Sequence, residues 1–180
     1  MIYFSIPYSF TQRLFQAFDH EINRLPNDDD WIVMLDGDTA FLMPDFGHHV
    51  EYYVKKYPDT GLFTCYASRC HYECQRVPGA DPENPDIRYH RKIAEQQSNL
   101  IGQVEELDRR IAGHMMVIQK RVWKKIRPTV AEKTKEKHIL GVDTKISNAI
   151  RAHGYKIRLM KSIYLLHYLR MNDGKNDFIK

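Results

Sequence analysis

Cysteine is scarce, three in 180 residues. So small and odd a number argues against a disulfide framework and fits a reducing compartment. Cys70, His71 and Cys74, with Cys65 nearby, find no second spaced Cys or His pair to complete a zinc site, so they read as thiols. Long hydrophobic runs are lacking too: no stretch approaches the ~20 apolar residues of a membrane span. The opening residues 1–6 have neither the charged start nor the long apolar run of a secretion signal. A cytoplasmic protein without a transmembrane segment is therefore expected. Net charge is only +4, with the excess spread over helix-like stretches of the C-terminal half. That balance allows an anionic ligand or peripheral contact with anionic lipid, and a solvated basic face accounts for it equally. No nucleic-acid-binding module is recognisable, so nucleic acid is not an expected partner.

What is present is the composition of a globular chain, 43% hydrophobic and 28% charged. Its length suits a single domain with a substantial core. The most informative stretch is Trp31-Ile32-Val33-Met34-Leu35 followed by Asp36-Gly37-Asp38-Thr39. Five apolar residues behind the acidic run Asp28-Asp29-Asp30 predict a strand buried on both faces, which belongs in a largely parallel sheet. Open α/β sheets place ligands at the carboxyl ends of their strands. Two carboxylates there, flanking a glycine, suit a hard divalent cation carrying a phosphorylated substrate. An ordinary Asp-Gly turn, with Asp38 capping the next element, is the plainer reading of the same residues.

Around that strand the chain reads as alternating elements. Residues 2–6 predict a first strand ended by Pro7. Ser9 and Gln12 have capping-box spacing ahead of Leu14, Phe15, Phe18, Ile22 and Leu25 at helical period. Strand, helix, strand in that compass is a right-handed crossover, so the first two strands should be parallel, with their carboxyl ends on one side. Val50, Tyr53, Val54 and Tyr57 mark a second helix, with His48 and His49 expected at the surface at its start. Residues 61–67 form a third strand. From 68 to 86, Pro78, Gly79, Pro82 and Pro85 among charged residues predict a long excursion, either a substrate-facing flap or disorder. Residues 93–107 suggest helix, 113–118 a fourth strand, and 120–126 a short basic helix stopped by Pro128. Val142 to His153 line one helix face that ends at Gly154. Residues 155–159 and 163–168 predict two further strands, and residues 169–180 a flexible tail.

In this order the pieces resemble a GT-A-type glycosyltransferase, most similar to the family-2 transferases. The matches are Ser5-Ile6-Pro7-Tyr8 at the end of the first strand, Met34-Leu35-Asp36-Gly37-Asp38-Thr39 as a DxD motif, and Gly113 to Trp123. They continue with Val142-Asp143-Thr144, Ala152-His153-Gly154-Tyr155 and His167. The resemblance implies one three-layer Rossmann-like α/β domain with a mainly parallel sheet, in which residues 68–112 form a variable acceptor-side excursion. The domain is N-terminally abbreviated: one helix fills the interval where the family has two further strand and helix units. The implied reaction is transfer of a sugar from a UDP- or GDP-sugar to an acceptor hydroxyl, with inversion, assisted by Mn²⁺ or Mg²⁺. Asp38 and His167 would be the metal ligands. Asp36 would serve the ribose or a metal-bound water, and Ser5, Pro7, Tyr8 and Lys175 the nucleotide. Asp143 would be the base, where helix capping is its plain role. Two alternatives stand beside this reading. One is a degenerate nucleotide-sugar-binding module. The other is a haloacid-dehalogenase-type phosphatase, disfavoured because Ala40 stands where that pattern wants Thr or Val.

Overall fold

The computed structural model describes residues 1–9, 13–133 and 141–168. Among them are seven strands and five α-helices. In chain order these are β1 (Ile2–Ser5), α1 (Leu14–Asn23), β2 (Trp31–Leu35), β3 (Thr39–Phe41), α2 (Phe46–Lys56) and β4 (Thr60–Ala67). There follow α3 (Ile87–Ser98), β5 (Val104–Glu106), β6 (Met115–Gln119), α4 (Lys120–Lys133), α5 (Val142–Ala152) and β7 (Lys156–His167). The strands lie in the order β1-β2-β6-β4-β7-β3, with β5 beside β7.

The expected mainly parallel sheet is corrected to a mixed one. β1 and β2 are parallel, with Ser5 beside Met34, but β2 and β6 run antiparallel, as do β4 with β6 and β3 with β7. The reason is physical: a continuous apolar run records burial on both faces and carries no direction. Direction was fixed only where a single helix joined two strands, and that crossover is parallel as predicted.

The chain groups into two compact units, the first comprising residues 1–37, 59–64 and 106–158. Here Phe15, Phe18 and Ile22 form the buried face of α1, and Val122, Trp123, Ile126 and Val130 that of α4. Asp19 joins the two helices, accepting from Trp123 Nε1 at 3.0 Å and from Arg127 Nε and Nη2 at 2.7 and 2.8 Å. Burial raises the Asp19 pKa, but these donors outweigh it and hold the carboxyl below its ordinary value. The acidic run before β2 meets the start of α4: the Asp30 and Asp28 carbonyls accept from the Lys120 and Arg121 N–H groups, and Lys124 pairs with Asp28. Lys124 and Arg127 of the basic α4 are thus engaged by this protein's own acids. α4 also runs through Pro128 rather than stopping there, because Ile126 and Val130 on either side are both fully buried. Ser9 Oγ accepts from the Arg13 N–H, and α1 starts only at Leu14; Gln12 lies outside the described residues. Gly154, at φ +76°, closes α5 as expected.

The described part of the second unit comprises residues 38–58, 65–105 and 159–168. The two strands expected over 155–159 and 163–168 are one, Lys156–His167, since Ser162 in the middle is itself buried. Its hydroxyl lies 2.9 Å from His49 Nδ1. His49 is therefore buried, not at the surface, with Nε2 3.3 Å from Asp45. The excursion after Ala67 is neither strand nor helix beyond one 3-10 turn, Glu73–Gln75, yet hydrogen bonds recur along it, from Arg76 Nε to the Cys70 carbonyl and from the Asp81 N–H to the Tyr89 hydroxyl. Residues 93–107 split into the end of α3 and the strand β5, and β3 is a strand that sequence pattern does not predict.

Candidate metal and proton-transfer site

β2 delivers Asp36 at its carboxyl end. The Asp36 N–H donates to the His114 carbonyl at 3.2 Å, which extends the β2–β6 pairing by one residue. Gly37 follows, 3.6 Å from the Ile6 side chain at the position a Cβ would take. The ends of β1 and β2 therefore share one side, as predicted. Asp38 comes next, its carbonyl accepting from the Tyr168 N–H at 2.9 Å, and β3 then pairs Thr39 with His167.

Asp38 Oδ1 lies 3.4 Å from His167 Nε2, with the carboxylate 47% and the imidazole 5% exposed. Asp36, two residues upstream, completes a group in which one ligand atom from each of Asp36, Asp38 and His167 lies within 4.8 Å of the others. The other ring nitrogen, His167 Nδ1, is 2.8 Å from the Arg69 carbonyl. A carbonyl only accepts, so Nδ1 carries a proton and Nε2 faces Asp38. Nε2 beside a carboxylate suits either a proton shared with Asp38 or a cation bound by both. Two carboxylates and an imidazole are the donors that Mn²⁺ accepts, and the donor set fits such an ion.

Asp143 sits in the first turn of α5 and is half-buried. Its Oδ1 accepts from the Thr144 N–H at 2.7 Å. Burial pushes its pKa above the ordinary value, against the lowering effect of backbone donation from Thr144 and Gly113. A Cβ on Gly113 would stand 3.1 Å from the Asp143 Cβ, so glycine permits the close approach. Gly113 precedes His114, whose carbonyl holds Asp36, and this short series of contacts ties Asp143 to the end of β2. The helix N-cap is Gly141, so Asp143 does not occupy the capping position itself.

Among the nucleotide-binding candidates, Ser5 ends β1 and donates its hydroxyl to Glu21 at 3.1 Å. Pro7 is half-buried, while Tyr8 is 79% exposed. Tyr8 borders a cavity of about 340 Å³ together with Arg13, Gln16, His20 and Glu21. Lys175 lies outside the described residues. Sequence reasoning missed Ser68 and Arg69, which hold His167: the Ser68 Oγ accepts its N–H at 2.9 Å, and Arg69 orients its ring. A backbone carbonyl that orients a ring leaves no signal in residue type.

The cysteines carry thiols, and burial pushes the Cys65 thiol well up. No helix among the described residues is long and apolar enough to cross a membrane. No protein-family model, curated protein or solved structure matches the chain.

Proposed function

We propose that the chain is a metal-dependent glycosyltransferase, built on a GT-A, Rossmann-like version of its mixed sheet, that moves a sugar from a UDP- or GDP-sugar to an acceptor hydroxyl with inversion. The observation that carries this reading is the convergence of Asp36, Asp38 and His167 behind an apolar strand. A bound Mn²⁺ or Mg²⁺ would supply Lewis acidity and charge neutralisation for the leaving diphosphate. Asp38 and His167 hold the cation, and the mixed oxygen and nitrogen set favours Mn²⁺ over Mg²⁺. Asp36 serves the ribose side. Tyr8 and Pro7 receive the base, with Ser5 behind them. Asp143 takes the acceptor hydroxyl's proton as the oxygen attacks, and its raised pKa makes it a stronger base than an ordinary aspartate.

A second reading, a nucleotide-sugar-binding module without turnover, draws on the single helix between β1 and β2. A thermal-shift screen of nucleotide sugars with and without Mn²⁺ tests both, because a ligand that binds only the folded chain raises its melting temperature. The expected result is a rise that needs sugar nucleotide and Mn²⁺ together and is lost in Asp38→Ala. Asp143→Asn should keep that rise and lose transfer. Wild-type binding without transfer or hydrolysis would establish the module instead, and a screen with no metal-dependent shift would overturn both.

A further inference from the structure

The excursion that follows β4 is fastened to His167 at its root and to itself further along. At the root, the Ser68 N–H donates to the Leu165 carbonyl at 2.9 Å, and the His167 N–H donates to Ser68 Oγ at 2.9 Å. The next residue supplies the carbonyl that accepts from His167 Nδ1, at 2.8 Å. The side chain of that same residue, Arg69, turns the other way. Its Nε donates to the Pro82 carbonyl at 3.0 Å, and its Nη2 to Glu83 Oε2 at 3.0 Å. The far end of the loop is held in turn: Glu83 N–H donates to Asp81 at 2.9 Å, and His90 Nε2 donates to the Asn84 carbonyl at 2.8 Å. All of these residues belong to the second compact unit.

An imidazole can rotate about its own axis and can carry its proton on either nitrogen. Only a fixed acceptor on one side settles both, and such outer partners commonly change metal affinity ten- to a hundredfold. Here the acceptor is a loop carbonyl, and a loop carbonyl is only as fixed as its loop. We infer that Arg69 is the positioning residue of the site: by clamping Pro82 and Glu83 it holds its own carbonyl against His167 Nδ1 and so aims Nε2 at Asp38. The inference rests on the metal site proposed above. It makes the 69–83 loop a determinant of metal affinity, although none of its side chains belongs to the Asp36, Asp38 and His167 group.

Two measurements on the full chain test it. Calorimetric titration with Mn²⁺ alone should show Arg69→Ala binding about tenfold more weakly than wild type. Glu83→Gln should lose less, because the Pro82 contact remains, and Arg69→Lys should recover part of the loss. Nitrogen-15 NMR of the histidine rings, recorded without metal, should show His167 protonated on Nδ1 in wild type, with that preference weakened in Arg69→Ala. Wild-type affinity in Arg69→Ala and Glu83→Gln, with binding abolished in Asp38→Ala, would overturn the positioning role and leave the metal site standing. A wild-type chain that takes up no Mn²⁺ would overturn the metal site. The tautomer then decides alone: an unaltered ring in the variants removes Arg69 from the role, and an altered one keeps it. Should Arg69→Ala fail to fold, Glu83→Gln carries both readouts.

Discussion

His90 and His167 are both buried, and both spend one ring nitrogen on a loop carbonyl, Asn84 and Arg69 respectively. They differ in what the second nitrogen meets. His90 Nδ1 lies 2.7 Å from the Tyr164 hydroxyl, so both ring nitrogens meet neutral partners and the ring pins α3 to β7. His167 Nε2 meets the Asp38 carboxylate, half open to solvent, with Asp36 close by. The first arrangement is complete with the protein's own atoms. The second brings a ring nitrogen to a carboxylate at the surface, and that distinguishes a histidine that holds a fold together from one that can hold a ligand.

Exchanging the two histidines' fates is the sharpest way to break this contrast. His167→Ala should lower Mn²⁺ affinity beyond the roughly hundredfold reached by outer-shell changes. Its stability should fall too, since losing the buried ring leaves a void and strips the Arg69 carbonyl of its donor. His90→Ala should cost stability without weakening the metal site. It leaves the Tyr164 hydroxyl and the Asn84 carbonyl buried without their partner and opens a void, costing about 2 kcal/mol or more. Urea unfolding would register that loss, and Mn²⁺ titration should match wild type. If His90→Ala weakened Mn²⁺ binding as much as His167→Ala does, the division between a structural and a ligating histidine would fail.

That division was only partly readable from the sequence. The apolar run of β2 and the Asp36-Gly37-Asp38 behind it were legible, because burial and turn chemistry leave their mark in residue type. So was the parallel β1–β2 crossover, where one amphipathic helix fixes direction. Direction elsewhere was not, because β6 reaches β2 only after a long excursion, and an apolar pentapeptide reads alike both ways. Nor was the burial of His49, since two adjacent histidines on a helix cannot both face inward and residue type does not tell them apart. The exposed one is His48, while His49 turns inward to Ser162. Pro128 misled for a similar reason: local propensity says stop, and the buried Ile126 and Val130 outweigh it. Ser68 and Arg69 had no sequence signature at all, since their hold on His167 runs largely through a carbonyl and a hydroxyl.

Asp143 extends the comparison to a group for which burial outweighs what its partners return to the charged form. Its pKa is raised by burial, so the folded chain binds its proton more tightly than the unfolded chain does. The stability this contributes is full below the ordinary value of 3.8 and is lost as pH rises through the raised folded pKa. At neutral pH the buried carboxylate is therefore a net cost, moderated by the N–H groups of Thr144 and Gly113. Asp143→Asn keeps an oxygen for those donors and removes the charge. It should raise the melting temperature slightly at neutral pH, and the difference should shrink as pH falls toward 3.8. Melting curves of both chains across that range measure it. A variant less stable at neutral pH would mean that the backbone donors outweigh burial, making Asp143 a structural anchor like His90 rather than a group held ready for a proton.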